Sequence, residues 1–373
     1  MEDKSKFKTI ILDNGSYSIK AGFNGEYEPK SVFPTVIGYD HSDKTSFCGH
    51  NAEAKKSVLK MNYPIKRVIV NNWDDMEKIW DYTFKNELNI TPMDYNIVIT
   101  QPLKNPKVNK EKTLNIMFEY FCFEGLNMPY STTLSLYSAG KFNGISIDLG
   151  DGSTQFCPIF DGYEILDNAE RINIGGKDIT KYIKKLLSKR QYDFAYDKKI
   201  ANDIKEKSCF IAYDYEEEYK SVKPFDYELP DGKQAIVDAK RMKYPEAFLF
   251  NPLIKFWERK GIPGICFDII NKCGMSMISD LYSSIILSGG NSMFKGFPER
   301  FKKEITNLAP EKMKEVIKVI ASPERKYFSW IGASVFSNLT TFEKVLITKS
   351  DYEEYGASSI IANKINKRNF IYL

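Results

Sequence analysis

With 373 residues the chain can bury a large core, and its length suggests two or three domains. A net charge of +4 is small for that length and argues against a dedicated nucleic-acid binder, which would gather its basic residues on one face. No apolar run reaches the roughly 18 residues of a membrane-spanning helix, and the opening MEDKSKFK lacks the apolar core of a secretory signal. Six cysteines (Cys48, Cys122, Cys157, Cys209, Cys266, Cys273) are scattered without a CxxC pair, which reads as reduced, mostly buried thiols of a cytosolic or nuclear protein. His41 and His50 are the only histidines and fall in a loop-like stretch, so a metal cluster is not expected.

Lys8–Leu12 reads as a strand, Asp13–Tyr17 as a turn and Ile19–Phe23 as the returning strand. The polar stretch from Tyr39 to His50 reads as loop. Asp74–Leu88 places Met76, Ile79, Trp80, Thr83 and Phe84 on one helical face, with Asp74 and Asp75 at its start. Tyr95–Pro102 has the pattern of a buried strand ended by proline. Asn109–Phe121 is helix-like, and Leu134–Ala139 lies in a further helical segment closed by Gly140. A second unit then repeats the first: Ile145–Ile147 as strand, Asp148–Gly152 as turn, and STQFCPIF as the return. Asn202–Glu218 reads as a helix running into an acidic, solvated segment. SIILSGGNSMFKGFPER (Ser284–Arg300) reads as strand, double-glycine turn and helix start, an arrangement friendly to phosphate or nucleoside.

Two copies of one apolar–Asp–Gly–Ser turn suggest a duplicated α/β domain with a cleft between the copies, although each turn alone could be a plain hairpin. Facing hairpins of this kind can grip a polyphosphate through successive backbone N–H groups. Candidate donors are Ser16 and Tyr17 on one side and Asp151, Gly152 and Ser153 on the other. Lys20 can reach phosphate as a point charge. Asp13 and Asp148 are placed to hold Mg²⁺ through waters, since Mg²⁺ dehydrates reluctantly and needs few carboxylates. There is no Walker A motif, GxGxxG, HExxH or GxSxG.

At these residues the chain resembles actin and the actin-related proteins over almost its whole length. LDNGS (12–16), KAGF (20–23), NNWDDMEKIW (71–80), NPKVNKEK (105–112), LSLYSAG (134–140), DLGDGST (148–154), DIKEK (203–207), LSGG (287–290) and SPERKYFSWIGAS (322–334) carry the resemblance, in order. It implies an α/β, duplicated actin-type ATPase fold, two halves of four subdomains around a nucleotide cleft. Residues 1–34, 64–138 and 328–373 would form subdomain 1 and 35–63 a shortened subdomain 2. Residues 139–174 and 258–327 would form subdomain 3, and 175–257 subdomain 4. The implied cofactors are ATP and Mg²⁺, with phosphate and metal roles for Asp13, Ser16, Lys20, Asp148, Asp151 and Gly152. Adenosine contacts are implied for Gly176, Lys205, Glu206, Gly289, Gly290, Met293, Phe294 and Lys326.

The departures from the resemblance bear on activity. Actins have glycine where this chain has Tyr17; a left-handed backbone there would cost ~1–2 kcal/mol. Leu149 replaces a hydroxyl residue that contacts the terminal phosphate, a hydrogen bond worth ~1.5–3 kcal/mol. The family's water-positioning glutamine aligns with Ser131 and its neighbouring histidine with Gln155, so Ser131 and Gln155 are the candidate catalytic pair of a slow ATPase at most. Misplacing an attacking group can cost ~10²-fold.

The loop YDHSDKTSFC is shorter and more charged than the subunit-bridging loop of actins, so impaired polymerisation is expected. Arg67 stands where actins carry a modified histidine. Lys4, Lys6 and Lys8 sit among Glu2 and Asp3 where actins are strongly acidic, and the tail ANKINKRNFIYL is basic.

Tyr137, Phe142, Tyr163, Phe336, Leu339, Thr341 and Val345 match the family's partner groove between subdomains 1 and 3, which accepts amphipathic helices. The expected protein is a cytoplasmic, cytoskeletal assembly subunit that binds Mg-ATP, docks protein partners through that groove, and has actin or other actin-related proteins as candidate partners. No membrane span and no direct nucleic-acid binding are expected. A nuclear subunit of a chromatin-remodelling complex, a polymerising divergent actin and a small-metabolite kinase sharing the paired hairpins are the competing readings.

Overall fold

The computed structural model describes residues 8–188, 198–229, 232–238, 240–250 and 260–365. The charged N-terminal stretch and most of the basic tail lie outside the described residues. The chain divides into two compact units, residues 1–142 with 327–373, and residues 143–326.

Unit one is built on a mixed sheet. Its central strand, Thr9–Asn14, is buried along almost its whole length. It pairs antiparallel with Ser18–Phe23 and parallel with Asn96–Ile99. Such a strand needs apolar residues on both faces, and Ile10, Ile11 and Leu12 supply them. Ser31–Pro34 and Gly125–Asn127 extend the sheet on either side, and Ile347–Thr348 closes one edge.

The helix expected from Asp74 starts at Trp73, where the Asn72 side chain accepts from Asp75 N–H at 3.1 Å. It runs to Tyr82 and continues as a wider turn over Thr83–Leu88, ending at left-handed Asn89. Met76, Ile79, Trp80, Thr83 and Phe84 are all buried. The helix expected from Asn109 begins at Lys107, and Ser131–Ser138 forms the segment read as helical around Leu134.

The stretch from Tyr39 to His50 corrects the reading of loop. Ile37–Asp40 pairs with Ser46–Cys48 and with Leu59–Asn62 in a three-stranded sheet, and His50 lies in the short helix Gly49–Ala54. The polar residues that suggested a loop instead make the hairpin turn. Asp40 accepts from Ser42 N–H and Asp43 from Thr45 N–H, both at 2.8 Å, while Lys44 is left-handed. Buried Asp75 holds this sheet to the long helix, accepting from the Tyr39 hydroxyl, Asn62 Nδ2 (3.1 Å) and Asn72 Nδ2 (2.7 Å).

Unit two follows the same order of strand directions. Gly144–Leu149 pairs antiparallel with Thr154–Phe160 and parallel with Ile285–Ser288. Val319–Ile320 adds a further parallel strand, while Tyr163–Glu164 and Glu170–Ile172 pair with Thr154–Phe160. Helices Gly176–Ser188, Lys198–Ser208, Ile262–Lys272 and Phe297–Leu308 bring Ile179, Ile204, Ile269 and Phe301 into one apolar core with Ile147 and Phe156.

The acidic segment read as following the Asn202 helix forms a short helix of its own, Tyr215–Ser221. Asp214 caps it and Glu218 accepts from the Tyr213 and Asp214 amides. All six cysteines are free thiols, and every one except Cys122 is buried. Among the described residues no helix is long and apolar enough to cross a membrane.

Candidate functional site

In unit one the first hairpin places Asp13 directly opposite Lys20. Residues paired across antiparallel strands share a face, and Lys20 Nζ meets Asp13 Oδ2 at 2.9 Å. Thr100 Oγ1 donates to Asp13 Oδ1 at 2.8 Å and accepts from Asn14 N–H at 3.1 Å. Lys20, read as a point charge for phosphate, is also the ion-pair partner of Asp13.

The turn between the strands is pinned from outside. Thr35 Oγ1 donates to Gly15 O at 2.7 Å and Thr35 N–H to Tyr17 O at 3.0 Å. A Cβ on Gly15 would lie 2.6 Å from Ser18 O, so glycine is required there. Ser16 Oγ accepts from Val68 N–H at 3.0 Å, which leaves its own proton for another acceptor. The amide of Ser16 makes no hydrogen bond among the described residues.

Tyr17, 48% exposed, has no left-handed backbone, so the strain considered for it is absent. The strain lies instead at Arg67 (φ 52°) and Val68 (φ 63°), the two-residue loop joining Ile65–Lys66 to Ile69–Val70. A two-residue hairpin loop favours positive φ at both positions, and here neither residue is the usual Asn or Gly.

In unit two the second hairpin places Asp148 opposite Gln155, whose Nε2 donates to Asp148 Oδ2 at 3.2 Å. Gly150 N–H closes the turn onto Ser153 O at 3.0 Å. The amides of Asp151 and Ser153 make no hydrogen bond among the described residues. The Ser153 hydroxyl is buried without a partner. A buried hydroxyl and amides left without acceptors cost free energy unless a ligand satisfies them.

The helix Gly176–Ser188 starts against this turn, with Gly176 N–H on Gly150 O (3.1 Å) and Lys177 N–H on Asp151 O (3.2 Å). A Cβ on Gly176 would sit 2.8 Å from Asn291 Oδ1 and 3.1 Å from both Asp151 Oδ1 and Lys205 Nζ. Three polar side chains therefore converge on one glycine. Burial pushes the Asp151 carboxyl above its ordinary range, with Lys205 pulling it back. Burial likewise lowers the Lys205 ammonium, against the opposing pull of Asp151. Lys205 donates to Thr180 Oγ1 at 3.1 Å, and exposed Glu206 accepts from Asn202 Nδ2 at 2.7 Å.

The double-glycine turn sits beside Asp148. Gly289 is at φ 84°, and a Cβ there would stand 2.5 Å from Asp148 Oδ1 and 2.6 Å from Leu149 O. Gly290 opens a single 3-10 turn to Met293, and the α-helix that follows begins only at Phe297. Met293 and Lys326 are exposed, whereas Phe294 is buried in the apolar core. Two residues missed in the sequence hold this region. Asn291 Nδ2 donates to Gly150 O at 2.7 Å. Arg325 donates to Ser292 O at 3.0 and 3.3 Å while its own carbonyl accepts from Gly289 N–H at 3.1 Å. The motif SPERKY contains Arg325, but nothing local says which carbonyls it reaches.

Ser131 opens the helix Ser131–Ser138 in unit one. Its amide donates to Gln101 O at 3.1 Å and its carbonyl accepts from Ser135 Oγ at 2.9 Å. Gln101 Oε1 and Thr132 Oγ1 are buried in unit one without partners.

Of the residues matched to the partner groove, Tyr137 and Phe142 pack ring to ring at 5.8 Å, and Tyr137 and Phe336 at 6.1 Å. Phe142 is 49% exposed, but Phe336 is buried and belongs to the core with Phe342. Leu339 and Val345 pack partly buried against that cluster, and Thr341 is half-buried. Tyr163 lies in unit two, on the short strand Tyr163–Glu164.

Within each unit the turn amides suit an anion with many oxygens, and the aspartate beside each turn is of the type that holds a hydrated divalent cation. The comparison with known families agrees with the class these features define. The sequence model of the actin family matches residues 4–366, nearly the whole chain. This protein belongs to the actin family.

Proposed function

We propose that this actin-family chain binds Mg-ATP and serves as a cytoplasmic, cytoskeletal assembly subunit with weak or absent ATP hydrolysis and impaired polymerisation. The two units would be the halves of an actin-type fold, four subdomains around a nucleotide cleft. The observation that carries the reading is the matched pair of hairpins. Each sets a metal-competent aspartate opposite a nitrogen donor, Lys20 for Asp13 and Gln155 for Asp148. Each also leaves turn amides without acceptors, at Ser16 in one and at Asp151 and Ser153 in the other.

The amides of Ser16, Tyr17, Asp151, Gly152 and Ser153 would hold the phosphates. Lys20 would face both phosphate and Asp13, and Asp13 and Asp148 would hold metal-bound water. Gly176, Lys205, Glu206, Gly289, Gly290, Met293 and Lys326 would line the nucleoside end. Phe294 would back it from the core. Bound Mg²⁺ would neutralise phosphate charge.

Weak hydrolysis follows from the two candidate positions. Gln155 spends one amide proton on Asp148, which ties the end of its side chain to that carboxylate. Ser131 is short, and its backbone is tied into the start of its own helix. Poor polymerisation follows from the tight polar turn at Asp40–Thr45 and from Phe47, whose ring lies under Lys55 Nζ at 3.9 Å. Partners would dock on the exposed part of the aromatic cluster around Tyr137 and Phe142.

Calorimetric titration of the full chain with Mg-ATP tests the reading. One site that weakens when Mg²⁺ is chelated supports it; the absence of any binding heat and of any thermal stabilisation refutes it.

A further inference from the structure

We infer that Glu246 is the proton-sensitive half of a clamp on residues 208–212, and that opening of this clamp sets the rate of nucleotide release; this rests on the Mg-ATP reading above. The helix Lys198–Ser208, which carries Lys205, leads directly into the clamped segment. The helix Lys240–Leu249 grips that segment at both ends. Arg241 Nη1 donates to Ser208 O at 3.3 Å, and its guanidinium lies 5.2 Å from the ring centre of Phe210. Glu246 acts at the other end through Arg300, which gives Nη2 to Glu246 Oε1 at 3.2 Å and Nη1 to Ala212 O at 2.9 Å. Between the two grips, Ile211 N–H donates to Lys295 O at 2.8 Å.

The clamp is short of hydrogen bonds. Among the described residues, Glu246 Oε2 and Arg241 Nε are both buried without a partner. Pro245 removes a backbone N–H from the helix that carries them. Water entering here would supply the missing bonds, so local opening costs less than at a saturated contact.

Charge decides how often it opens. Around Glu246 stand Arg300 and Glu304 on the helix Phe297–Leu308, and Asp214 and Tyr215 at the start of Tyr215–Ser221. Lys303 pairs with Asp214 at 3.6 Å, and Tyr182 of the helix Gly176–Ser188 meets the Tyr244 ring at 5.8 Å. Burial, with Glu304 and Asp214, favours the neutral acid against the pull of Arg300, and the carboxyl rises to about 7. In the open form water solvates the carboxylate, which then titrates near 4.3. Opening therefore releases a proton: the clamp is tightest in acid, loosens as pH rises, and changes little above about 7.

The test follows release of radiolabelled ATP from the full chain into excess unlabelled ATP, at fixed free Mg²⁺, at about pH 5.5 and about pH 7.5. The wild type should release roughly tenfold faster at the higher pH. Glu246→Gln stays neutral and still accepts from Arg300, so it should release slowly at both. Titration of the nucleotide itself is common to the two proteins and cancels in their ratio. Hydrogen exchange of the wild type, corrected for its intrinsic pH dependence, reads the clamp without a variant: residues 208–212 should lose protection over the same interval.

Equal pH dependence of release in the two proteins would overturn the inference and leave nucleotide binding standing. Constant protection of residues 208–212 would do the same. Absence of any bound nucleotide would overturn the Mg-ATP reading and the inference with it.

Discussion

Gln155 Nε2 donates to Asp148 Oδ2 at 3.2 Å across the second hairpin, the register position that Lys20 fills opposite Asp13 in the first. One hairpin thus neutralises its aspartate with an ammonium at 2.9 Å, and the other orients its aspartate with a neutral amide. The two hairpins differ chemically: the aspartate of the first is charge-paired, and that of the second meets a neutral amide.

If Gln155 orients Asp148, Gln155→Leu should weaken Mg²⁺ more than it weakens nucleotide. Orienting partners of metal-holding groups typically contribute about 10–100-fold in metal affinity. Titrating Mg²⁺ at fixed ATP should show a right-shifted curve of that size. An unchanged midpoint would mean that the hydrogen bond does not set the aspartate's geometry.

If Lys20 serves phosphate as well as Asp13, Lys20→Met should lower ATP affinity by at least tenfold and raise the dependence on Mg²⁺ together. Parallel titrations of ATP and of Mg²⁺ read the two effects separately. Loss of only one would assign the lysine to phosphate or to Asp13 alone.

Val68 carries a β-branched side chain at φ 63°, where such residues are strained. Val68→Gly removes that strain, offset in part by the added freedom of glycine in the unfolded chain. A net gain of about 1 kcal/mol for unit one is expected, or roughly 2–4 °C in Tm. Denaturant or thermal unfolding decides it, and a lower midpoint would show that the Val68 contacts outweigh the strain.

Glu246 is 2% exposed, takes Arg300 Nη2 at 3.2 Å on one oxygen, and has its other oxygen buried without a partner. Burial pushes its carboxyl up to about 7, aided by Glu304 and Asp214 and opposed by Arg300. An unfolded glutamate titrates near 4.3, so the folded unit holds the proton more tightly than the unfolded chain. That contribution is complete below about pH 4 and is lost as pH rises through about 7, by up to roughly 3 kcal/mol. Melting curves from pH 5 to 8 should fall for the wild type and flatten for Glu246→Gln. Parallel slopes for the two proteins would remove Glu246 as the cause.

The hairpins were legible because Asp–Gly–Ser between apolar runs is a strong local turn signal, and because register alone sets Asp13 opposite Lys20. The helix at Trp73 was legible from its period and its Asn72 cap. What failed was long-range. The polar stretch at Tyr39–His50 looks like loop until Asp40 and Asp43 are seen folding their turns and Asp75 anchoring the sheet. The Arg67–Val68 turn carries no Gly or Asn to announce it. Phe294 and Phe336 are drawn into cores by tertiary packing, a burial that their local sequence does not announce. Asn291 and Arg325 act on carbonyls distant in sequence, which no local pattern encodes.

The central claim, ATP held and turned over slowly at most, is met most directly by one experiment. The protein is purified in Mg-ATP, free nucleotide is removed, aliquots are denatured over several hours, and the released nucleotide is separated by chromatography. The account predicts ATP at near-constant amount in every aliquot. Steady conversion to ADP would contradict it and would mean that Gln155 or another group does position the attacking water.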